Sequence, residues 1–206
     1  MFNLVERTNS YINLPSPELD QAWRELLQYS NVRLTEAEVD AIDPTRKASS
    51  IPLPDGGYFG MLTVHHELHC VKHLHRFVYA NHYFGNLTPD ELARRQLHME
   101  HCLDLIRQSI MCHADVQPIT MRWAESVPVP GANYSTPHNC YNWDAVNNWA
   151  KGRSLDRIFE PGYLKHPTFG DVYSWEGLDS LMKVGLAVDH KDTGAKGEEE
   201  NGKMSG

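Results

Sequence analysis

His66-Glu67-Leu68-His69-Cys70 returns 32 residues later as His98-Met99-Glu100-His101-Cys102. Histidine and cysteine are the side chains that bind borderline and soft metals. Two matching sets in one short chain read as the two halves of one site. Metal binding or redox chemistry is therefore the first expectation.

Both pentads must sit on helices for their residues to converge. From about Leu62 to Tyr83 the pattern is helical and long, and the Gly85-Asn86 step breaks it. Thr88 as cap and Pro89 in the first turn restart a second long helix that runs to about Cys112. A short connection makes the two helices antiparallel neighbours. Positions i, i+3, i+4 and i+7 share a helix face, so His66, His69, Cys70 and His73 stand together, as do His98, His101 and Cys102. Cys70 and Cys102 are each 16 residues from Asn86, which predicts that they face each other at equal height. His66, His69, His98 and His101 are the expected metal ligands. His73 lies a turn further along and is a weaker candidate. His65, His75 and His82 fall off the face and read as ordinary. His113 follows at the end of the second helix, and His138, in a loop able to close over the hairpin, is the candidate ligand from outside it.

The donor set narrows the chemistry. A zinc-protease signature needs His-Glu-x-x-His, and the last position here is Cys70. Di-iron sites need Glu-x-x-His, a spacing that Glu67 and Glu100 lack; both point roughly 100° around the helix from their histidine neighbours. An imidazole-rich cluster without carboxylates suits copper, nickel or zinc. The four cysteines allow two readings: thiolate ligands, or disulfides clamping the ligand-bearing helices. Disulfides are favoured in an oxidising compartment, with spacing preferring Cys70–Cys102 and Cys112–Cys140. Cys102 and Cys112 cannot pair within one helix, since ten residues rise about 15 Å.

The remaining sequence bounds the function class. A hydrophobic share of 41% with 22% charged residues fits a soluble globular protein. The net charge of −8 argues against a nucleic-acid partner, and no basic cluster interleaved with aromatics occurs. No apolar run is long enough to span a bilayer, and the first residues do not read as a signal peptide. No phosphate-cradling glycine loop or Gly-x-Ser-x-Gly turn is present. Two sequons, at Asn86 and Asn133, lean with the cysteine count toward a secretory lumen. Flanking elements are expected from Ser16 to Gln28 (helix), from Thr35 (short helix), over 44–60 (loop or short strands) and from Asp144 to Lys151 (helix). An edge strand or loop follows Gln117, and a last helix is expected over Trp175–Val188. One domain over 1–189 and a disordered polar tail over 190–206 complete the organisation.

Taken together, the twin pentads resemble the UstYa-like proteins of fungal secondary metabolism. The run Pro15 to Trp23, the segment Met111-Cys112-His113-Ala114-Asp115 and the closing His138-Asn139-Cys140 with Trp143-Asp144 are similar to that family as well. The resemblance covers roughly residues 11–150. It implies oxidative tailoring of natural products by macrocyclisation, hydroxylation or chlorination. It further implies copper, a membrane segment upstream of the domain, and action in pairs.

The expectation is a mainly α fold: an antiparallel helical hairpin carrying the metal site, with short helices and long loops. Copper, one or two ions, with dioxygen or peroxide and, for chlorination, chloride, would act on a small-molecule or peptide natural product. A homo- or heterodimer with a family member is the expected assembly. A structural zinc module, a non-catalytic partner subunit and a non-redox metallo-hydrolase are the alternatives, separated by metal content and by activity of the purified single protein.

Overall fold

The computed structural model describes residues 9–123 and 128–171. The expected helix at Trp175–Val188 and the polar tail lie outside them. Among the described residues the fold is mainly helical, with three two-stranded antiparallel sheets.

Helix α1 (Pro17–Leu27) starts where Ser16 accepts a hydrogen bond from the Leu19 amide, with Pro17 in the first turn. It buries Leu19 and Trp23, and Trp23 Nε1 donates to the Tyr11 carbonyl at 3.2 Å. Strand β1 (Val32–Leu34) leads to α2 (Glu36–Ile42), whose Thr35–Glu38 capping box satisfies two donors that a helix start otherwise leaves open. A 3₁₀ turn at Pro44–Ser49 and strand β2 (Tyr58–Gly60) fill the region expected as loop or short strands.

Strands β1 and β2 pair with Val32 opposite Gly60. Val32 also bridges to Ser154, and the Leu155 amide donates to the Asn31 carbonyl. This closure carries one core, formed by Leu53, Leu155, Ile158, Tyr163 and Leu164. It joins early and late chain far from the pentads in sequence.

The pentads lie on α3 (Thr63–Val78) and α5 (Pro89–His113), which pack against each other. Their seam is a second core of Cys70, Met99 and Cys102, flanked by Leu74, Phe77 and Ile106. Helix α5 begins with the expected Thr88 cap, a capping box with Glu91, and ends where Ala114 turns left-handed at φ 32°.

The first long helix stops earlier than expected. It ends at Val78, Tyr79 leaves the helical region at φ −111° and ψ 41°, and α4 (Ala80–Tyr83) follows as one turn. Tertiary contacts account for the bend. The Arg76 guanidinium stands over the Tyr83 ring at 5.0 Å, and the Tyr83 hydroxyl donates to Asp20 of α1 at 3.1 Å. Arg95, almost wholly buried, stacks on Phe84 at 3.2 Å. A straight helix would carry Tyr83 and Phe84 away from these partners. Gly85, at φ +62°, then reverses the chain.

Beyond α5, β3 (Thr120–Trp123) and β4 (Pro130–Asn133) form an exposed hairpin, and α6 (Trp143–Lys151) is capped by Asn142. Strands β5 (Lys165–His166) and β6 (Gly170–Asp171) make a small last hairpin. No helix among the described residues is long and apolar enough to cross a membrane.

Gly57 tests the small sheet. Its φ is +79°, and a Cβ there would stand 2.7 Å from the Leu34 carbonyl oxygen, a backbone atom. Gly57→Ala should therefore destabilise by about 1–3 kcal/mol, read as a lower midpoint in urea unfolding. An unchanged midpoint would mean that this turn is not built as described.

Candidate metal centre

Five imidazoles form a closed ring between α3 and α5. Going round, the ring-centroid separations are 6.1 Å for His66–His69, 4.2 Å for His69–His73 and 5.4 Å for His73–His98. The circuit closes with 6.4 Å for His98–His101 and 6.0 Å for His101–His66. The four histidines expected from the pentads thus come together, and the weaker candidate, His73, completes the ring. Helix periodicity did put His73 on this face. What spacing could not tell is that the antiparallel register brings it against His98.

Depth varies around the ring. His101 is exposed, His66, His69 and His98 are half-buried, and His73 is 2% exposed. Neither ring nitrogen of His73 has a hydrogen-bond partner. His65 is fully buried with both nitrogens also unpartnered, and its ring meets the edge of Trp143 on α6 at 5.9 Å. It lies off the ligand face, as expected, and packs between α3 and α6.

Burial disfavours the charged form of His66, His69 and His73. His69 is pushed down to about 4, first by loss of solvent and then by the nearby positive charges of Lys72, His66, His98 and Arg76. His73 is pushed well below its ordinary value, chiefly by burial, with His69, Lys72 and Arg76 adding to it. His66 is lowered by burial and by His101, against the opposing pull of Glu67. Neutral imidazole is the ligating form. Glu67 is nearer than its helical position suggested: it acts on both His66 and Cys70, and its Oε1 is buried without a partner.

As the rings stand, no three His, Cys, Asp or Glu donors among the described residues converge to hold one ion. Ring spacing explains this. With nitrogen about 2 Å from a metal, two imidazoles on one ion have centroids about 4.5 Å apart at a right angle and about 5.2 Å at the tetrahedral angle. The pairs His66–His69, His66–His101 and His98–His101 are wider, at 6.0–6.4 Å. Side-chain rotation is needed to bring them onto a shared ion, and histidine χ2 is a soft torsion. The residue types fit copper; the ring orientations do not form its coordination sphere.

The cysteines fall into two kinds. Cys70 and Cys102 are fully buried and face each other through a thiol–thiol hydrogen bond, as equal distance from the turn predicted. That bond lowers the Cys70 pKa and raises that of Cys102. Cys112 and Cys140 are exposed. All four are free thiols, so neither bridge preferred by spacing is formed in this structure.

His138 is held by a hydrogen bond between its Nδ1 and Asp115 Oδ2, with the side chain 9% exposed. Asp115 is kept below the usual carboxylate range, first by the Gln117 amide and then by this bond. A carboxylate behind one ring nitrogen is the common way to orient an imidazole whose other nitrogen ligates. A cleft of about 560 Å³ lined by Asn9, Asn13, Glu18 and Arg24 lies against α1 and contains none of these histidines.

A family model described as mycotoxin biosynthesis protein UstYa matches residues 3–153. The chain belongs to the UstYa family. It is 27% identical over 167 residues to the UstYa family oxidase phomYc of Diaporthe leptostromiformis, covering 77% of this chain and 64% of that protein. It is 32% identical over 147 residues to phomYd of the same organism, covering 71% of this chain and 47% of that one. A stretch of 99 residues, 44% of this chain and 26% of the relative, is 36% identical to the chlorinase cctP2 of Talaromyces islandicus. The chain spans less than two thirds of the length of each of these relatives. No solved structure matches it.

The depressed histidines set a pH dependence for the metal-free protein. An unfolded histidine takes its proton near pH 6.5, whereas folded His69 takes it only near 4. The unfolded state therefore gains protons first as pH falls. Stability should be full above about 6.5 and decline on the way down to about 4, by on the order of 1–3 kcal/mol from His69. Denaturant melts at pH 7.5, 6 and 5 should show the midpoint falling. A midpoint that holds or rises on acidification would contradict a buried neutral cluster.

Proposed function

We propose that this chain is a copper-dependent oxidative tailoring enzyme of fungal secondary metabolism, with His66, His69, His98 and His101 holding one or two ions and His138 as the ligand from outside the hairpin. The observation that carries the reading is the imidazole ring itself: two matched pentads whose histidines meet across two helices, with burial holding His69 in its neutral form. The names of the relatives, oxidases and one chlorinase, point the same way. When bound, copper with dioxygen or peroxide supplies an oxidant able to take hydrogen from a C–H, N–H or O–H bond.

The protein's own residues do the rest. The Cys70–Met99–Cys102 seam fixes the height of the two pentads against each other. Burial keeps His69 deprotonated and ready to ligate. Asp115 orients His138. The exposed flank at His101 leaves an approach for a substrate, a natural product of small-molecule or peptide type. A homo- or heterodimer with a family member and a secretory-lumen setting complete the proposal. A closed structural zinc site would instead need four converging donors. Elemental analysis of the metal-loaded protein separates the two.

The deciding experiment measures metal content and turnover together. His69→Ala with His101→Ala should lose most bound copper in elemental analysis, at least tenfold, while circular dichroism stays helical. Full copper retention in that double variant would falsify the ligand assignment. Turnover should stop under anaerobiosis without peroxide, and after chelation. If the reaction is chlorination, product should require chloride and shift to the bromo product when bromide replaces it; cyclisation or hydroxylation should run without halide.

The facing thiols make a separate prediction. In protein matured under oxidising conditions, Cys70 and Cys102 should form a disulfide across the hairpin, stabilising it by about 3–4 kcal/mol for a loop of roughly 30 residues. Non-reducing digestion and mass spectrometry should find that linked peptide. Four free thiols in active, metal-loaded protein would remove the bridge and return the cysteines to the list of ligand candidates.

A further inference from the structure

Two acceptor sequons stand apart from the metal chemistry. Asn86-Leu87-Thr88 lies in the reversal between α4 and α5, and Asn133-Tyr134-Ser135 begins at the end of β4. Both asparagines are exposed, so access does not separate them. Local bonding does. An N-linked sugar is added as the chain enters a lumen, before distant parts have met, so the structure that bears on the choice is what neighbouring residues form by themselves.

At the first sequon the hydroxyl residue is committed to a helix start. Thr88 Oγ1 accepts the Glu91 amide at 3.3 Å and donates to Glu91 Oε2 at 2.9 Å, and the Thr88 amide donates to the same oxygen at 2.9 Å. The partners are three residues apart, so this capping box needs only local chain. Pro89 follows, fixing its own φ and holding Thr88 extended at φ −66° and ψ 159°. The hydroxyl at the third position is the recognition group for sugar transfer, and here its proton and one of its lone pairs are already taken.

The second sequon is bonded differently. Asn133 Oδ1 accepts the Ser135 amide at 3.2 Å, an Asx-turn closed within the sequon itself. The carboxamide is held by its oxygen, which leaves Nδ2, the atom that takes the sugar, on the other side. Ser135 is exposed and starts no helix. Asn133 stands opposite Thr120 in the β3–β4 hairpin, and strand alternation puts this pair on the face of Arg122, away from Met121 and Trp123. Thr120, Arg122 and Asn133 are all exposed, so a sugar there meets no packed core.

We propose that Asn133, and not Asn86, is the site of an N-linked glycan. The inference rests on the secretory-lumen setting proposed above. The donor is a lipid-pyrophosphate-linked oligosaccharide, and a membrane-bound transferase of the host catalyses the step. Asn133 Nδ2 bonds to the anomeric carbon of the sugar, and the bond from that carbon to the pyrophosphate oxygen breaks. The lipid pyrophosphate leaves with the electron pair, one Nδ2 proton passes to a base of the transferase, and nothing is oxidised or reduced.

The test sends the full chain into the lumen of a fungal host behind a secretion leader. Peptide N-glycosidase in heavy-oxygen water then turns each carrier asparagine into labelled aspartate, which peptide mapping locates. Label should fall on position 133 and be lacking at 86. Asn133→Gln and Ser135→Ala should each lose the glycan and run as the enzyme-treated wild type does, whereas Asn86→Gln should keep it. Circular dichroism checks that each variant is folded, and the two routes to loss do not share a substitution. Label at 86, at both positions, or at neither overturns the proposal. The natural protein from its source organism separates this from the compartment reading. Position 133 bare there, but labelled behind the leader, upholds the site and removes the lumen setting.

Discussion

The register between α3 and α5 governs everything at the candidate site. It is set by a narrow seam in which Cys70 and Cys102 are fully buried and Met99 nearly so. Small sulfur side chains let the two backbones approach closely, and a close approach is what brings imidazoles on opposite helices within about 6 Å. A larger residue at either cysteine would push the helices apart and widen every cross-helix pair. The turn enforces the same register from the other end. Gly85 reverses the chain, Thr88 and Glu91 cap α5, and Arg95 stacks on Phe84 beneath them. Slippage by one residue would rotate each pentad about 100° off the shared face.

Charge shapes what that geometry can do. Three cationic side chains, Lys72, Arg76 and Arg95, are nearly buried on these two helices. Arg76 is tied to Asp20 of α1 at 3.7 Å, and Tyr83 binds the same carboxylate. The first helix is thereby fastened to the helix that carries the first pentad. The charges of Lys72 and Arg76 also help to hold His69 and His73 neutral. Structural ties and ligand readiness are thus two effects of one set of side chains.

Much of this was legible in the sequence because it is local. Ser16 and Thr88 cap their helices and Thr35 opens another, at positions that side-chain chemistry makes recognisable, and the pentads declare a shared face through helical spacing. The bend at Tyr79 was not legible. Nothing at that position breaks a helix; contacts to Asp20, Arg76 and Arg95 do. His65 read as off-face, and so it is, but Trp143 from a distant helix covers it. His73 had the right face but no sign of its depth, which depends on what packs over it. The small sheet joining Val32, Gly60 and Ser154 is equally non-local. In each case the missing information was a partner far along the chain.

The hairpin also has a consequence for how the molecule comes into being. All five imidazoles of the ring fall between residues 66 and 101, on two helices joined by the one-turn helix α4 and the reversal at Gly85. Contacts of such short sequence separation close fast and early. The core around Leu53 and Ile158, by contrast, must wait for chain that is synthesised some hundred residues later. A nascent polypeptide emerging from the ribosome can therefore fold α3 against α5, and assemble the ring, before the core around Leu53 and Ile158 exists. The histidine ring need not wait for the domain; it can be among the first parts of it to form.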